Sequence, residues 1–233
     1  MSLSIAIRSS LRRAGVLGAV AAASLAALAG QAHASTYTEV GDAGQTLATV
    51  QDTSSAGPLQ SLTSISGSVL SSTDADLYLI HIADAASFMA SADAGTQLFD
   101  PQLFLLTLSG TAVALNDDAA GGQSTLPTLS GITGLTAGFY ILGISQSGYD
   151  PVNAVNQLLF ATGLPTDIRY AATGLQPTTL GGFSDGTFFA DSGTYTINLA
   201  GVDSLSVSAV PEPSTALLFA AGGLLAALRR RRA

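Results

Sequence analysis

The chain has 233 residues, eight Lys and Arg against sixteen Asp and Glu, and neither cysteine nor tryptophan. Without cysteine it has no disulfides and no thiol chemistry, and its acidic balance repels nucleic acid, which is not expected as a partner. Whole-chain totals understate the asymmetry. Lysine is absent, and residues 35–209 set Glu39 and fourteen aspartates against Arg169 alone, a net charge of −14.

In chain order, the first segment is an address. Arg8, Arg12 and Arg13 precede an apolar, alanine-rich run from Ala14 to Gly30. Ala32-His33-Ala34 then forms an A-x-A cleavage site. This pattern predicts a signal peptide over 1–34, with Ser35 as the first mature residue, and signal peptidase and the secretion translocon as partners. The residues around Arg12-Arg13 fit a twin-arginine signal poorly, which leaves ordinary secretion.

Residues 35–209 are long enough for one domain with its own core. Short alternating runs are predicted as strands: Thr63–Leu70, Asp76–Ile82, Gln102–Leu108, Ala112–Asn116, Phe139–Ile144 and Thr194–Leu199. Turn residues such as Asp100-Pro101, Ser109-Gly110, Ala137-Gly138 and Ser192-Gly193 separate them. Tyr78, Ile80, Leu103, Leu105, Tyr140, Leu142 and Ile144 are the expected core. Between Tyr149 and Gly186 the periodicity fails, and the stretch reads either as a short helix over Val155–Ala161 or as a long surface excursion. Regular turns without a long 3.6-residue pattern indicate an all-β domain, a single antiparallel β-sandwich of the jelly-roll kind.

The same runs carry a resemblance. Asp74-Ala75-Asp76-Leu77-Tyr78, then Asp100-Pro101-Gln102-Leu103-Phe104-Leu105, Ser109-Gly110, Asn116-Asp117-Asp118 and Gly138-Phe139-Tyr140 follow one another as D-x-D-x-Y, D-x-x-L-x-L, G, N-D-D and G-x-Y. In that order they resemble the bacterial pre-peptidase C-terminal domain over residues 59–147. The resemblance implies a β-sandwich appended to secreted proteins, some of which bind calcium or insoluble polymers. The stretch 148–187 departs from the family's pattern.

Chemistry-bearing residues are few. His81 is the only histidine left after export, and on an alternating strand it points away from Tyr78, Ile80 and Ile82. No nucleophile elbow surrounds it, and one histidine without cysteine does not make a zinc site. Asp74, Asp76, Asp100, Asp117 and Asp118 fall at strand ends, where a sandwich brings them to one rim. Two readings stand for them: an oxygen-rich calcium site, and ordinary turn capping by aspartate. No catalytic residue is assigned. A paired-carboxylate glycosidase needs only two acids, but no tryptophan is present to hold sugar.

The tail is tripartite. Pro211-Glu212-Pro213 is followed by an apolar run over 215–228 and by Arg229–Arg232. Fourteen residues of helix span ~21 Å against a hydrocarbon core of ~30 Å, a short transmembrane helix, and the arginines place its end in the cytoplasm. Residues 210–233 resemble the PEP-CTERM sorting signal of Gram-negative exoproteins. That resemblance implies an exosortase as partner, transient inner-membrane anchoring, and release or attachment outside the cell. The resulting expectation is a non-catalytic exported protein associated with the exopolysaccharide matrix. The alternatives are a calcium-dependent adhesin or carbohydrate-binding module, and a secreted hydrolase.

Overall fold

The computed structural model describes residues 34–54, 59–94, 100–122, 124–184 and 192–205. The hydrophobic part of the signal peptide, the sorting motif and the apolar run 215–228 lie outside these residues. Among the described residues no helix is long and apolar enough to cross a membrane.

The described chain is all β. Its strands are β1 (Ala34–Thr38), β2 (Gln51–Asp52), β3 (Ser61–Val69), β4 (Ala75–Ile82), β5 (Met89–Ala94), β6 (Pro101–Thr107) and β7 (Ala112–Asn116). Then come β8 (Thr128–Ser130), β9 (Gly138–Gln146), β10 (Pro151–Val152), β11 (Arg169–Tyr170), β12 (Gly182–Phe183), β13 (Gly193–Ala200) and β14 (Val202–Asp203). All six predicted strands are present, with their ends moved by up to two residues.

One curled sheet runs β11-β7-β6-β9-β4-β14-β3-β13-β5-β8. Its ladders are antiparallel except at β1 on β3 and β2 on β4, which are parallel. The curl is made at Gly201. β13 and β14 are almost one strand, and both pair with β3. On their other side β13 pairs with β5, whereas β14 pairs with β4. Gly201 takes a φ of 71°, and a Cβ there would lie 2.5 Å from the Asp84 carbonyl oxygen. Its own carbonyl accepts the N–H groups of Ala83 and Asp84. Only glycine turns that corner without strain.

The curl gives two halves with a core between them. Alternate residues of both halves meet there: Ile65 and Val69, Tyr78, Ile80 and Ile82, Leu103 and Leu105, Leu142 and Ile144, Tyr195 and Ile197. Six of the seven expected core residues are buried. Tyr140 is the exception: it is half-buried, and its hydroxyl donates to the Thr136 carbonyl at 3.0 Å. It stands near the start of β9, opposite Ile80 and Thr107, where the ring packs against the core while the hydroxyl reaches solvent.

The stretch 148–184 is not a helix. The Asn153 carboxamide oxygen accepts the N–H groups of Val155 and Gln157 at 3.1 and 2.9 Å. That side chain competes directly with helical bonding. The stretch is an excursion, and it has a packing task. Leu159 and Phe160 are buried against Leu77, Phe104, Leu106, Leu115 and Ile141, the outward-facing residues of β4, β6, β7 and β9. Those strands therefore read as nearly unbroken apolar runs, because both of their faces are covered.

Candidate functional site

The expected aspartates divide into two groups. One carboxylate oxygen from each of Asp100, Asp117 and Asp118 lies within 4.8 Å of the others, and the same holds for Glu39, Asp42 and Asp76. Both groups sit at one end of the sheet, as the strand-end argument requires. They do not merge, because β9 lies between β4 and β6 and pairs with both. Two strand spacings, ~10 Å, keep them apart. Asp74 joins neither group. Its carboxylate accepts the Leu70 N–H at 2.7 Å, which is turn capping, and burial pushes its pKa up.

The Glu39 group runs from exposed Asp42 to fully buried Asp76. β4 points Asp76 inward with Tyr78, Ile80 and Ile82, so the carboxyl stands at the mouth of the core, fully buried. Its Oδ2 accepts the Tyr195 hydroxyl at 2.6 Å, and the Tyr195 and Tyr78 hydroxyls are 2.6 Å apart. Its Oδ1 has no hydrogen-bond partner. Burial pushes the Asp76 pKa up to about 8; the Tyr195 hydroxyl works against that shift, and Glu39, Asp74 and Asp42 add to it. Glu39 is held by the backbone, accepting the N–H groups of Ala43 and Ser68 at 2.9 and 2.8 Å. The group owes its space to Gly67: a Cβ there would lie 2.5 Å from the Tyr195 hydroxyl and 2.6 Å from Glu39 Oε2.

The Asp100 group has a counter-charge. Arg169 on β11 places Nη2 3.7 Å from Asp117 Oδ2. Burial raises the Asp117 pKa, while Ser147 and Arg169 oppose the rise. Asp117 Oδ1 and the Oε1 of fully buried Gln102 lack hydrogen-bond partners. A concavity of about 300 Å³ opens here between Asp117, Ser147, Asp150 and Arg169.

His81 points outward as expected. Its Nδ1 lies 2.8 Å from Asp203 Oδ1, and its ring packs on Phe139 with centroids 4.6 Å apart. The pair ties β14 to β4. Of the expected cleavage residues, Ala34 and Ser35 begin edge strand β1, opposite Ser61 and Leu62; Ala32 lies outside the described residues.

Sequence reasoning missed Glu39, Asp42 and the Tyr78–Tyr195 pair. One signal was available for Glu39, the single glutamate in a domain that otherwise uses aspartate. Nothing local marks Tyr195, whose partners Asp76 and Tyr78 lie 119 and 117 residues away.

The remaining surface of note is the outer face of β1, β3, β13 and β5. The register aligns Thr38, Ser66, Thr196 and Asp93 in one row across the four strands. A second row holds Thr36, Ser64, Asn198 and Ser91. All eight are exposed or half-exposed. A concavity of about 480 Å³ lies on this face, between Glu39, Ser66, Asp93 and Thr196.

The model of the PEP-CTERM protein-sorting motif matches residues 209–232. No curated protein matches the chain. The motif points to an exported protein that an exosortase processes, with a C-terminal sorting signal anchored in the membrane.

Proposed function

We propose that the chain is a non-catalytic protein of the cell surface or extracellular matrix of a Gram-negative bacterium, and that it associates there with exopolysaccharide. The sorting motif at 209–232 carries this reading. Its domain, on this reading, is a module of the pre-peptidase C-terminal kind, whose ordered motifs fall on β4, β6, β7 and β9 and on the turns beside them. Signal peptidase removes residues 1–34 after export, and exosortase then cuts near Pro211-Glu212-Pro213. The decisive experiment is fractionation of the producing cell. The protein should recover with the polysaccharide fraction, and Pro211→Ala with Pro213→Ala should leave it in the inner membrane. Recovery of the wild type as free soluble protein would refute matrix association.

A second reading, a calcium-dependent adhesin, is favoured by one observation: the buried, unpartnered Oδ1 of Asp76 beside two further carboxylates. Glu39, Asp42 and Asp76 would hold the ion, and the donor set is the all-oxygen kind that calcium takes. Bound calcium would neutralise the mutual repulsion of the three acids and staple the segment after β1 to β4. Calcium should raise the melting temperature of the secreted protein at fixed ionic strength, and Asp42→Asn should weaken the response. Equal responses from wild type and variant would remove this site.

A further inference from the structure

We propose that the outer face of β1, β3, β13 and β5 binds an uncharged polysaccharide through rows of hydroxyl and amide groups, without aromatic stacking. The inference rests on the matrix reading above and deepens it by naming a surface and a ligand class.

The two outer faces of the curled sheet are built differently. One carries Leu77, Phe104 and Ile141 and is covered by the 148–184 excursion. The other carries only short polar side chains in its two central rows, Thr38-Ser66-Thr196-Asp93 being the first. Solvation does not require that restriction, since an exposed sheet face accepts long side chains such as lysine or glutamine equally well. What the restriction provides is a regular grid, with polar groups ~4.8 Å apart across strands and ~6.7 Å apart along them. Ser and Thr hydroxyls both donate and accept, as sugar hydroxyls do. A repeating polymer of hydroxyl groups matches a repeating grid of the same chemistry.

Charge selects the kind of polymer. Asp93 is the carboxylate that the outer face brings to the concavity, and the lining residues include no base. Carboxylates accept hydrogen bonds from neutral sugar hydroxyls and repel uronate, sulfate or phosphate. The concavity, about 480 Å³, is the size of a pocket for one or two small rings. The side chains are also cheap to order. Ser and Thr lose little rotamer freedom compared with lysine or glutamine, and the Ser66 and Thr196 hydroxyls already lie 3.3 Å apart in a hydrogen bond. Each sugar contact is weak, and a polymer spanning several rows gains by effective concentration.

The test uses the secreted, processed protein in affinity electrophoresis through gels holding hydroxyethyl cellulose, dextran or alginate. Either neutral glucan should retard it, and alginate, a polyuronate, should not. Ser66→Ala with Thr196→Val should weaken retardation about tenfold, the loss of roughly two ordinary hydrogen bonds. Thr38→Val, on the edge strand, should weaken it less and leaves the central ladder intact. Thr178→Val, on the excursion, should leave it unchanged, with melting curves confirming that each variant folds. Equal retardation by alginate, full retardation of both grid variants, or none of the wild type by either glucan overturns the proposal. Matrix fractionation separates the two claims. A wild type that stays with the matrix while the grid variants bind glucan normally defeats this surface alone, whereas a wild type absent from the matrix defeats the broader reading.

Discussion

Asp76 shows how one buried carboxyl sets a pH dependence. Its pKa is pushed up from 3.8 to about 8, first by burial, then by Glu39, Asp74 and Asp42. An acid whose pKa is higher in the folded state holds its proton more tightly there than when unfolded. Its contribution is therefore most favourable below about pH 4 and is lost progressively as the pH rises to about 8. Raised Asp74 and Asp117 act in the same direction. In chelator, thermal melts of the wild type should fall across this window, and Asp76→Asn should flatten the slope and melt higher at pH 8. Parallel curves would mean that Asp76 stays ionised. Gly67 gives a second prediction at this scale. A Cβ there meets the Tyr195 hydroxyl and Glu39 at once, so Gly67→Ala should destabilise by ~1–3 kcal/mol, the usual range for overpacking. Denaturant titration measures it.

At the scale of elements, the strands that were legible are those with Leu, Ile and Tyr at alternate positions. β5 reads Met89-Ala-Ser-Ala-Asp-Ala, and its buried residues Ala90 and Ala92 are too small to raise a hydrophobic period. β2, β8 and β14 have two or three residues and exist because a neighbour supplies the ladder. The outward apolar residues of β6, Phe104 and Leu106, are covered by Leu159 and Phe160 from a distant part of the chain. This packing gives two predictions. Leu105→Ala, fully buried between the halves, should cost ~2–5 kcal/mol in a denaturant melt. Phe160→Ala should also destabilise, and in addition should expose the outer face of β6 and β9, so binding of a hydrophobic dye should rise in the native state. A Phe160→Ala protein that binds no more dye than wild type would mean that the excursion is not a cover.

For the whole molecule, processing and fold are separable. The extracellular form should begin at Ser35 and lack Arg229–Arg232, which intact mass decides. Circular dichroism of that form should be β-dominated, since its described residues are strands and turns. The address was readable in the sequence because a sorting signal is recognised as a linear pattern of charge, apolar length and a short motif, and Pro211-Glu212-Pro213 needs no fold to be read. The β class was readable because alternation is local. The candidate site was readable only in part. Asp76, Asp100, Asp117 and Asp118 stood out as acids at strand ends, but strand order decided which of them meet. Inserting β9 between β4 and β6 separated Asp76 from Asp117 and left it with Glu39 and Asp42. The hydroxyl rows have the same origin. Thr38, Ser66, Thr196 and Asp93 are scattered over 158 residues and become neighbours only through cross-strand register. A sequence determines what each residue can do chemically, whereas partners at long range are chosen by topology, which no local pattern encodes.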